Sequence, residues 1–415
     1  MKILHTADWH LGNTFHGHSR HEEHEHFLAW LLETLKEQQP DVMLLAGDIF
    51  DSPNPSAAAE NLFYKFLHDA TTAVSGLQVI VCAGNHDSGG RIEAPQALLY
   101  SHNIYVRGTL RRTEEDEPDY AEHVIPVSLK TSSEAVAVVF ALPYLRSGDY
   151  ATGMSQEEGL KECFKQMERE LKHSDFRGLP VIVCAHFYAA GSEIMSSEHS
   201  ERLVVGGQDC VELKNICPSA AYMALGHIHK PQQVGSKGWY SGSALPMSFS
   251  EKNYKHGVNM VELDADGEVN VSRVDYAPLR SLLSVPNKGA ASVSDILAAI
   301  EDLPERKKND DGTTWPYLEL RVRESRPEPQ LLHEVTETLT HKAARFCRMV
   351  REVAAIKTED KTDEISDIDM RIEPEDMARS VFRTRYHEEM PEEMLKRLRE
   401  AIEVSVSDNK NNDQQ

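Results

Sequence analysis

The 415-residue sequence is short of positive charge. Its 44 Lys and Arg face 67 Asp and Glu, a net charge of −23. Phosphate contacts need Lys and Arg, so this balance argues against a tight, autonomous nucleic-acid binder. It leaves room for a nucleic-acid enzyme that uses metal ions or a basic partner. No Walker A pattern is present, so any use of ATP would belong to another chain. Long apolar runs are missing too. The longest, AVAVVFALPYL at 135–145, is broken by Pro143 and falls far short of the roughly 20 residues of a spanning helix. The first residues read as a strand rather than as a secretory leader, so a cytoplasmic protein is expected. The six cysteines include no C-x-x-C pair and fit a reducing compartment better than a disulfide framework. At 40% hydrophobic and 27% charged residues, the chain has a globular composition and the length of two or three domains.

What the sequence does contain is a series of short apolar runs that end in polar residues. KILHTADWH ends in Asp8 and His10, VMLLAGD in Asp48, and VIVCAGNHD in Asn85, His86 and Asp87. VIVCAHF reaches His186, and AYMALGHIH reaches His227 and His229. Runs this apolar suit strands buried on both faces. Helical patterns lie between them, as at 21–38, where Phe27, Trp30, Leu31 and Leu35 share a face. Strands alternating with helices predict an α/β fold, and in such folds ligands gather beyond the carboxyl ends of the strands. The polar ends therefore predict one site built from five loops. Gly47, Gly84 and Gly226 each precede one of these residues, which suggests sharp turns that aim the side chains inward.

Asp8, His10, Asp48, Asn85, His186, His227 and His229 form a mixed nitrogen and oxygen donor set. It suits Mn²⁺, Fe²⁺ or Zn²⁺ better than Ca²⁺ or Mg²⁺ alone. Seven ligands exceed one tetrahedral site and match two octahedral ions sharing a carboxylate. Two ions about 3.5–4 Å apart clamp a phosphate and acidify the water that attacks it.

The order D-x-H, G-D, G-N-H-D, H, G-H-x-H resembles the calcineurin-like dinuclear metallophosphoesterases. ADWHLG, AGDIFD, AGNHDS and ALGHIH, followed by YSGSALPMSF, are similar to the double-strand-break repair nucleases within that superfamily, over essentially the whole chain. The resemblance implies a β-sandwich flanked by helices at 1–280, a small α/β cap at 281–360 for substrate selection, and a C-terminal part at 361–415. It implies that Asp8, His10 and His229 hold one Mn²⁺ (or Fe²⁺), that Asp48 bridges, and that Asn85, His186 and His227 hold the second. His86 would contact the scissile phosphate and protonate the leaving oxygen, with Asp51 orienting His86 and keeping it cationic. The implied activity is 3′→5′ exonuclease on duplex DNA ends and endonuclease on single strands and hairpins, serving replication, recombination and repair. The implied partners are DNA and an SMC-like ATPase, with two copies of this chain in a heterotetramer.

A phosphodiesterase or phosphatase for a small phosphoester would share every ligand. The length beyond residue 280 and the ADWHLG text weigh against it. A non-enzymatic scaffold would have no physical need for the full set.

Other features carry plainer expectations. His16, His18, His21, His24 and His26 are expected on a loop and a solvated helix face. Trp9 is expected to pack below the site, and Cys82 and Cys184 to act as small buried hydrophobes. Arg20 and Arg91 suit either phosphate contacts or salt bridges. Beyond 280, RSLLSVPNKGAASVSDILAAIEDLP reads as strand then helix, WPYLELRVRE as strand and PQLLHEVTETL as helix; FCRMVREVAAI is open between strand and helix. An acidic stretch near 357–375 precedes two short helices split near Pro391, with Met377, Val381, Phe382, Tyr386, Met394, Leu395, Leu398 and Ile402 as apolar positions suited to docking on a partner. The final SDNKNNDQQ is polar and expected to be disordered.

Overall fold

Two six-stranded sheets face one another, as shown by a computed structural model that describes residues 1–193, 210–324 and 330–353, with scattered positions between 375 and 399. In the first sheet the order is Val269–Asp275, Gly257–Leu263, Lys2–Thr6, Val42–Ala46, Gln78–Cys82 and Ile104–Arg107. The four strands from Lys2–Thr6 onward run parallel, and the first two join antiparallel. In the second sheet the order is Gln232–Val234, Gly238–Tyr240, Ala220–Gly226, Val181–His186, Ala135–Leu142 and Val124–Ser128.

The apolar runs are buried because each strand has a packed layer on both faces. Ile3, Leu44, Ile80, Val139, Ile182 and Ala224 fill the space between the sheets. The alternate residues, Leu4, Met43, Leu45, Val79 and Val81, pack outward against the helices His21–Gln38 and Ala57–Ala73. On the far side, Val138, Phe140, Val183 and Met223 pack with Leu160, Phe164 and Met167 of the helix Gln156–His173. The result is a helix–sheet–sheet–helix sandwich, as the α/β reading requires. Ser56 and Ser155 cap two of these helices, the second through a full capping box with Glu158.

A third sheet follows, of parallel strands Leu282–Val285, Tyr317–Glu324 and Arg345–Val353. The helices Val293–Glu301 and Leu331–Leu339 pack on it through Ile296, Ile300, Val335 and Leu339. The segment that reads as either strand or helix is therefore a strand. This unit joins the sandwich through a buried charged cluster. Arg20 pairs with Glu23 at 2.9 Å, and the Tyr317 hydroxyl donates to Glu23 at 2.6 Å. Arg280 reaches Glu23 at 3.4 Å and also pairs with Glu22.

Backbone contacts group Met1–Ala354 as one compact unit and Ala355–Gln415 as a second. In the second, Glu375 pairs with Arg379 and Arg399, at 2.8 and 2.7 Å. Helical backbone at Phe382 and at 394–399 agrees with helices on both sides of Pro391. The acidic stretch from 357 to 374, Met377, Val381, Tyr386, Ile402 and the polar tail lie outside the described residues. No helix among the described residues is long and apolar enough to cross a membrane.

Candidate dinuclear metal centre

The site lies where five strands of the two sheets end. Lys2–Thr6 delivers Asp8 and His10, Val42–Ala46 delivers Asp48, and Gln78–Cys82 leads to Asn85 and His86. From the other sheet, Val181–His186 delivers His186, and Ala220–Gly226 leads to His227 and His229. The first two loops run side by side through backbone hydrogen bonds. Asp8 N–H donates to Gly47 O at 3.0 Å, His10 N–H to Asp48 O at 3.0 Å and Leu11 N–H to Ile49 O at 2.9 Å.

Asp87 staples the loop that follows Gln78–Cys82 to these. Its carboxylate accepts N–H bonds from Gly84, Ile49 and Phe50 at 2.8, 3.1 and 2.9 Å. Burial, reinforced by neighbouring Asp48, raises its pKa to about 6 against those three bonds.

All seven predicted ligands converge. One donor atom from each of Asp8, His10 and His229 lies within 4.8 Å of the others, and the same holds for Asp8, Asp48 and His186 and for His10, Asp48 and His86. His10 Nε2 faces His229 Nε2 at 3.3 Å. Asn85 Oδ1 lies between His186 Nε2 at 2.9 Å and His227 Nδ1 at 3.0 Å. Asp48 Oδ2 lies 3.4 Å from His186 Nε2 and 3.8 Å from His10 Nε2, between the two sets. Ala46 O is 2.9 Å from His186 Nδ1. A carbonyl only accepts, so Nδ1 carries the hydrogen and Nε2 faces the centre.

The residues present fit divalent cations. Asp8 Oδ2 is buried with no hydrogen-bond partner, a costly arrangement for a carboxylate unless a cation meets it. Burial raises the Asp8 pKa to about 7; Asp48 adds to this, while His186 and His229 oppose it. At His186 burial works to lower the pKa, and the Asp48 carboxylate outweighs it, pushing the imidazole up to about 10. The first shift reflects the cost of burying a carboxylate, and the second the carboxylates that surround the imidazole.

Backbone strain is concentrated here. Asp8, His10, Asp48 and His227 have φ of 52°, 47°, 49° and 102°, a region that non-glycine residues rarely occupy. Only one of the three glycines has the turning role that its position suggests. Gly47 has φ of 90°. Gly84 and Gly226 are needed for closeness: a Cβ at Gly226 would lie 1.8 Å from Ala46 O, and one at Gly84 would lie 2.1 Å from Asp48 Oδ1.

The expected Asp51–His86 pairing takes a different form. The contact runs from His86 Nδ1 to the backbone carbonyl of Asp51 at 3.0 Å. The Asp51 carboxylate instead accepts from Asn13 Nδ2 at 2.8 Å and lies 3.6 Å from His10 Nδ1. The reason is geometric: the Asp51 side chain projects toward the first loop, while its carbonyl faces the third.

The histidine-rich stretch is less solvated than predicted. His24 is buried, His26 Nδ1 lies 2.8 Å from the Tyr276 hydroxyl, and His18 Nε2 lies 2.9 Å from Phe346 O. No metal-binding group forms among these histidines within the described residues. Trp9 is fully buried against Phe27, Phe63 and Phe66, the packing role expected of it. Arg20 and Arg91 take the salt-bridge option, with Glu23 and Glu60. Cys82 and Cys184 are buried, with Cys82 Sγ 3.2 Å from Cys184 O.

Sequence reasoning misses Asp87 as a staple, Arg146, which donates to Asp87 O at 3.0 Å, and Glu251, whose Oε1 lies 3.3 Å from His229 Nδ1. The partners of these side chains are set by contacts distant in sequence, so only Asp87 itself, the last residue of G-N-H-D, has any local signal.

These donors, on these strand ends, define a metallophosphoesterase. The calcineurin-like phosphoesterase family matches residues 1–231, and the chain belongs to it. Residues 278–389 match the family described as type 5 capsule protein repressor C-terminal domain. The proteins similar over most of the chain narrow the class. A Rhodobacter capsulatus protein, named as the SbcD subunit of the nuclease SbcCD, is 37% identical over 342 residues, covering 80% of this chain and 82% of that protein. Proteins of the same name from Bacillus subtilis and Escherichia coli are 33% and 29% identical, each covering 78% of this chain and 79% of the relative. Within the phosphoesterases, this chain belongs to the SbcD family of nuclease subunits.

Proposed function

We infer that the chain is the nuclease subunit of an SbcCD-type complex, a hydrolase that cuts DNA phosphodiesters at a centre of two divalent cations. The observation that carries this reading is the convergence of seven donor side chains on two adjoining sets about Asp48. In this reading Asp8, His10 and His229 hold one cation, Asn85, His186 and His227 hold the other, and Asp48 bridges. Mn²⁺ is the proposed ion, because both imidazole and carboxylate donors suit it. When bound, the pair supplies Lewis-acid stabilisation of the phosphate oxygens and acidifies the attacking water.

The chain's own residues do the rest. The Asp51 carbonyl accepts from His86, so Nδ1 carries a hydrogen and Nε2 is the nitrogen that trades a proton with substrate. We assign His86 the protonation of the leaving oxygen. The His86 N–H donates to Asp48 Oδ1 at 2.9 Å, which ties the acid's backbone to the bridging carboxylate. Asp51 acts through its carbonyl on His86 and through its carboxylate on Asn13 and the His10 side of the site.

In the same reading residues 1–280 form the nuclease domain, 281–360 the substrate-selecting cap, and 361–415 the segment that docks on an SbcC-type SMC-like ATPase. The ATPase binds ATP and, with the cations, holds most of the DNA; this accounts for an acidic nuclease chain. We propose a cytoplasmic complex with two copies of this chain, acting 3′→5′ on duplex ends and as an endonuclease on single-stranded DNA and hairpins.

The test is cleavage of closed circular single-stranded DNA by the purified chain with Mn²⁺, with EDTA, and after His86→Ala. Circles have no ends, so linearisation reports endonuclease chemistry directly. Cutting with Mn²⁺ that is lost in EDTA and in the variant supports the reading. Circles left intact while a small phosphodiester is turned over rapidly would refute it.

A further inference from the structure

The ring of His229 is held from both sides. Its Nε2 faces His10 within the centre at 3.3 Å. Its Nδ1 points away, to Glu251 Oε1 at 3.3 Å. Glu251 is 5% exposed, and its second oxygen accepts the Met247 N–H at 2.8 Å. Burial alone would raise this carboxyl; His229 and the Met247 N–H outweigh it and hold the pKa below the ordinary range.

We propose that Glu251 is a positioning residue of the metal centre, which fixes the His229 ring so that Nε2 is presented to the cation. The inference rests on the two-cation reading above. A carboxylate only accepts, so the Nδ1 facing it carries the hydrogen, and the lone pair is left on Nε2. An acid behind a metal-ligating imidazole also makes that imidazole a stronger donor.

Glu251 can fix a ring only if it is itself fixed, and the segment around it is anchored on three sides. Pro246 O accepts from Arg20 Nη1 at 2.6 Å, and Arg20 is held by Glu23. Phe249 packs against Phe15, which packs in turn on Tyr317 of the third sheet, at ring distances of 5.4 and 5.0 Å. Lys252 Nζ donates to Asn287 Oδ1 at 2.9 Å. The turn Phe249–Glu251 thus transmits the placement of the third sheet to a ligand of the centre.

If Glu251 served only to hold this turn through Met247, its loss would lower stability and leave metal affinity alone. The experiment therefore reads metal binding. Full-length wild type, Glu251→Gln and Glu251→Ala are stripped of metal, checked for folding by circular dichroism, and titrated with Mn²⁺ by calorimetry and by the spectroscopic signal of free Mn²⁺. The expected result is two binding events in the wild type, with one weakened about 10–100-fold in Glu251→Ala and the other unchanged. Glu251→Gln keeps an acceptor oxygen for Nδ1–H, so its shift is smaller and in the same direction. The Mn²⁺ concentration giving half-maximal cleavage rises in parallel. Should Glu251→Ala fail to fold, Glu251→Gln decides alone. Folded variants that bind both ions with wild-type affinity overturn the inference and leave the two-cation reading intact. A wild type that binds no Mn²⁺ overturns both.

Discussion

Gly84→Ala separates close packing from chemistry more sharply than removal of any ligand. A Cβ at this position would lie 2.1 Å from Asp48 Oδ1, 2.3 Å from Asp48 N and 2.7 Å from Asp48 Cγ. Real Cβ contacts essentially never fall below 3.0 Å, so the shortfall at Oδ1 is 3.0 − 2.1, or about 0.9 Å. A side-chain rotation cannot absorb it, because a backbone nitrogen is among the clashing atoms. Asp48 or the Gly84 loop must move by roughly an ångström. Overpacking of this kind costs about 1–3 kcal/mol of stability. A misplacement of about 1 Å at a reacting centre costs about 10²-fold in rate, which corresponds to about 2.7 kcal/mol of barrier. The assay compares single-turnover cleavage of a single-stranded circle at saturating Mn²⁺ with the thermal midpoint of the metal-free protein. Gly90→Ala is the control six residues on, where a Cβ meets nothing within 4 Å. The expectation is a folded Gly84→Ala protein slowed about 100-fold beside an unaffected Gly90→Ala. A folded Gly84→Ala that cuts at the wild-type rate would refute the claim that the loops hold Asp48 rigidly.

Glu23→Ala removes the carboxylate shared by Arg20, Arg280 and Tyr317, leaving two buried guanidinium groups short of counter-charge. The urea midpoint should drop by an amount equivalent to about 3–5 kcal/mol; a midpoint within error of wild type would show the cluster to be dispensable. His123 is buried, with its Nδ1 2.7 Å from Ala141 O and its Nε2 accepting the Arg111 N–H at 3.0 Å. Burial lowers its pKa to about 4. The unfolded chain therefore takes up this proton first as pH falls, so the contribution is complete above about pH 6.5 and is lost down to about pH 4, at about 1.4 kcal/mol per unit. His123→Gln should flatten the fall in urea midpoint between pH 6.5 and 4.5, and parallel curves for variant and wild type would count against this. Adding Mn²⁺ to stripped protein should raise its thermal midpoint, with about 2.7 kcal/mol gained at a hundredfold excess over Kd; no rise would mean that folding and metal binding are unlinked.

The convergence of the candidate donors was legible in the sequence because each follows a run whose burial is written in its own residues. VMLLA and VIVC are apolar at every position, so they are strands covered on both faces, and Asp48 and Asn85 must lie just beyond their ends. His24 shows the opposite case. Its neighbours Glu22, Glu23, His21 and Glu25 suggest a solvated helix face, yet Glu23 and His24 are buried. Glu23 is covered by Arg280 and Tyr317, more than 200 residues away, and no local pattern encodes that cover. The same limit hid Glu251 and the Asp51 carbonyl. Motif spacing fixes which residues meet, but the choice between a side-chain and a main-chain contact depends on where a loop turns.

The strained backbone bears on how the site is held in shape. Four of the proposed ligand positions occupy positive φ, at about 1–3 kcal/mol each, so several kcal/mol must be offset by their surroundings. The compensation is visible in the bonds that tie loop to loop. Asp8 and His10 N–H donate to Gly47 and Asp48 carbonyls, Asp8 Oδ1 accepts the His227 N–H at 2.9 Å, and Asp87 caps three further N–H groups. Each strained residue thus closes a bond to another loop of the site, and relaxing one would break its neighbour's contact. Such mutual closure makes the arrangement cooperative. It also holds the donors in fixed relative positions, which limits the reorganisation that turnover would require.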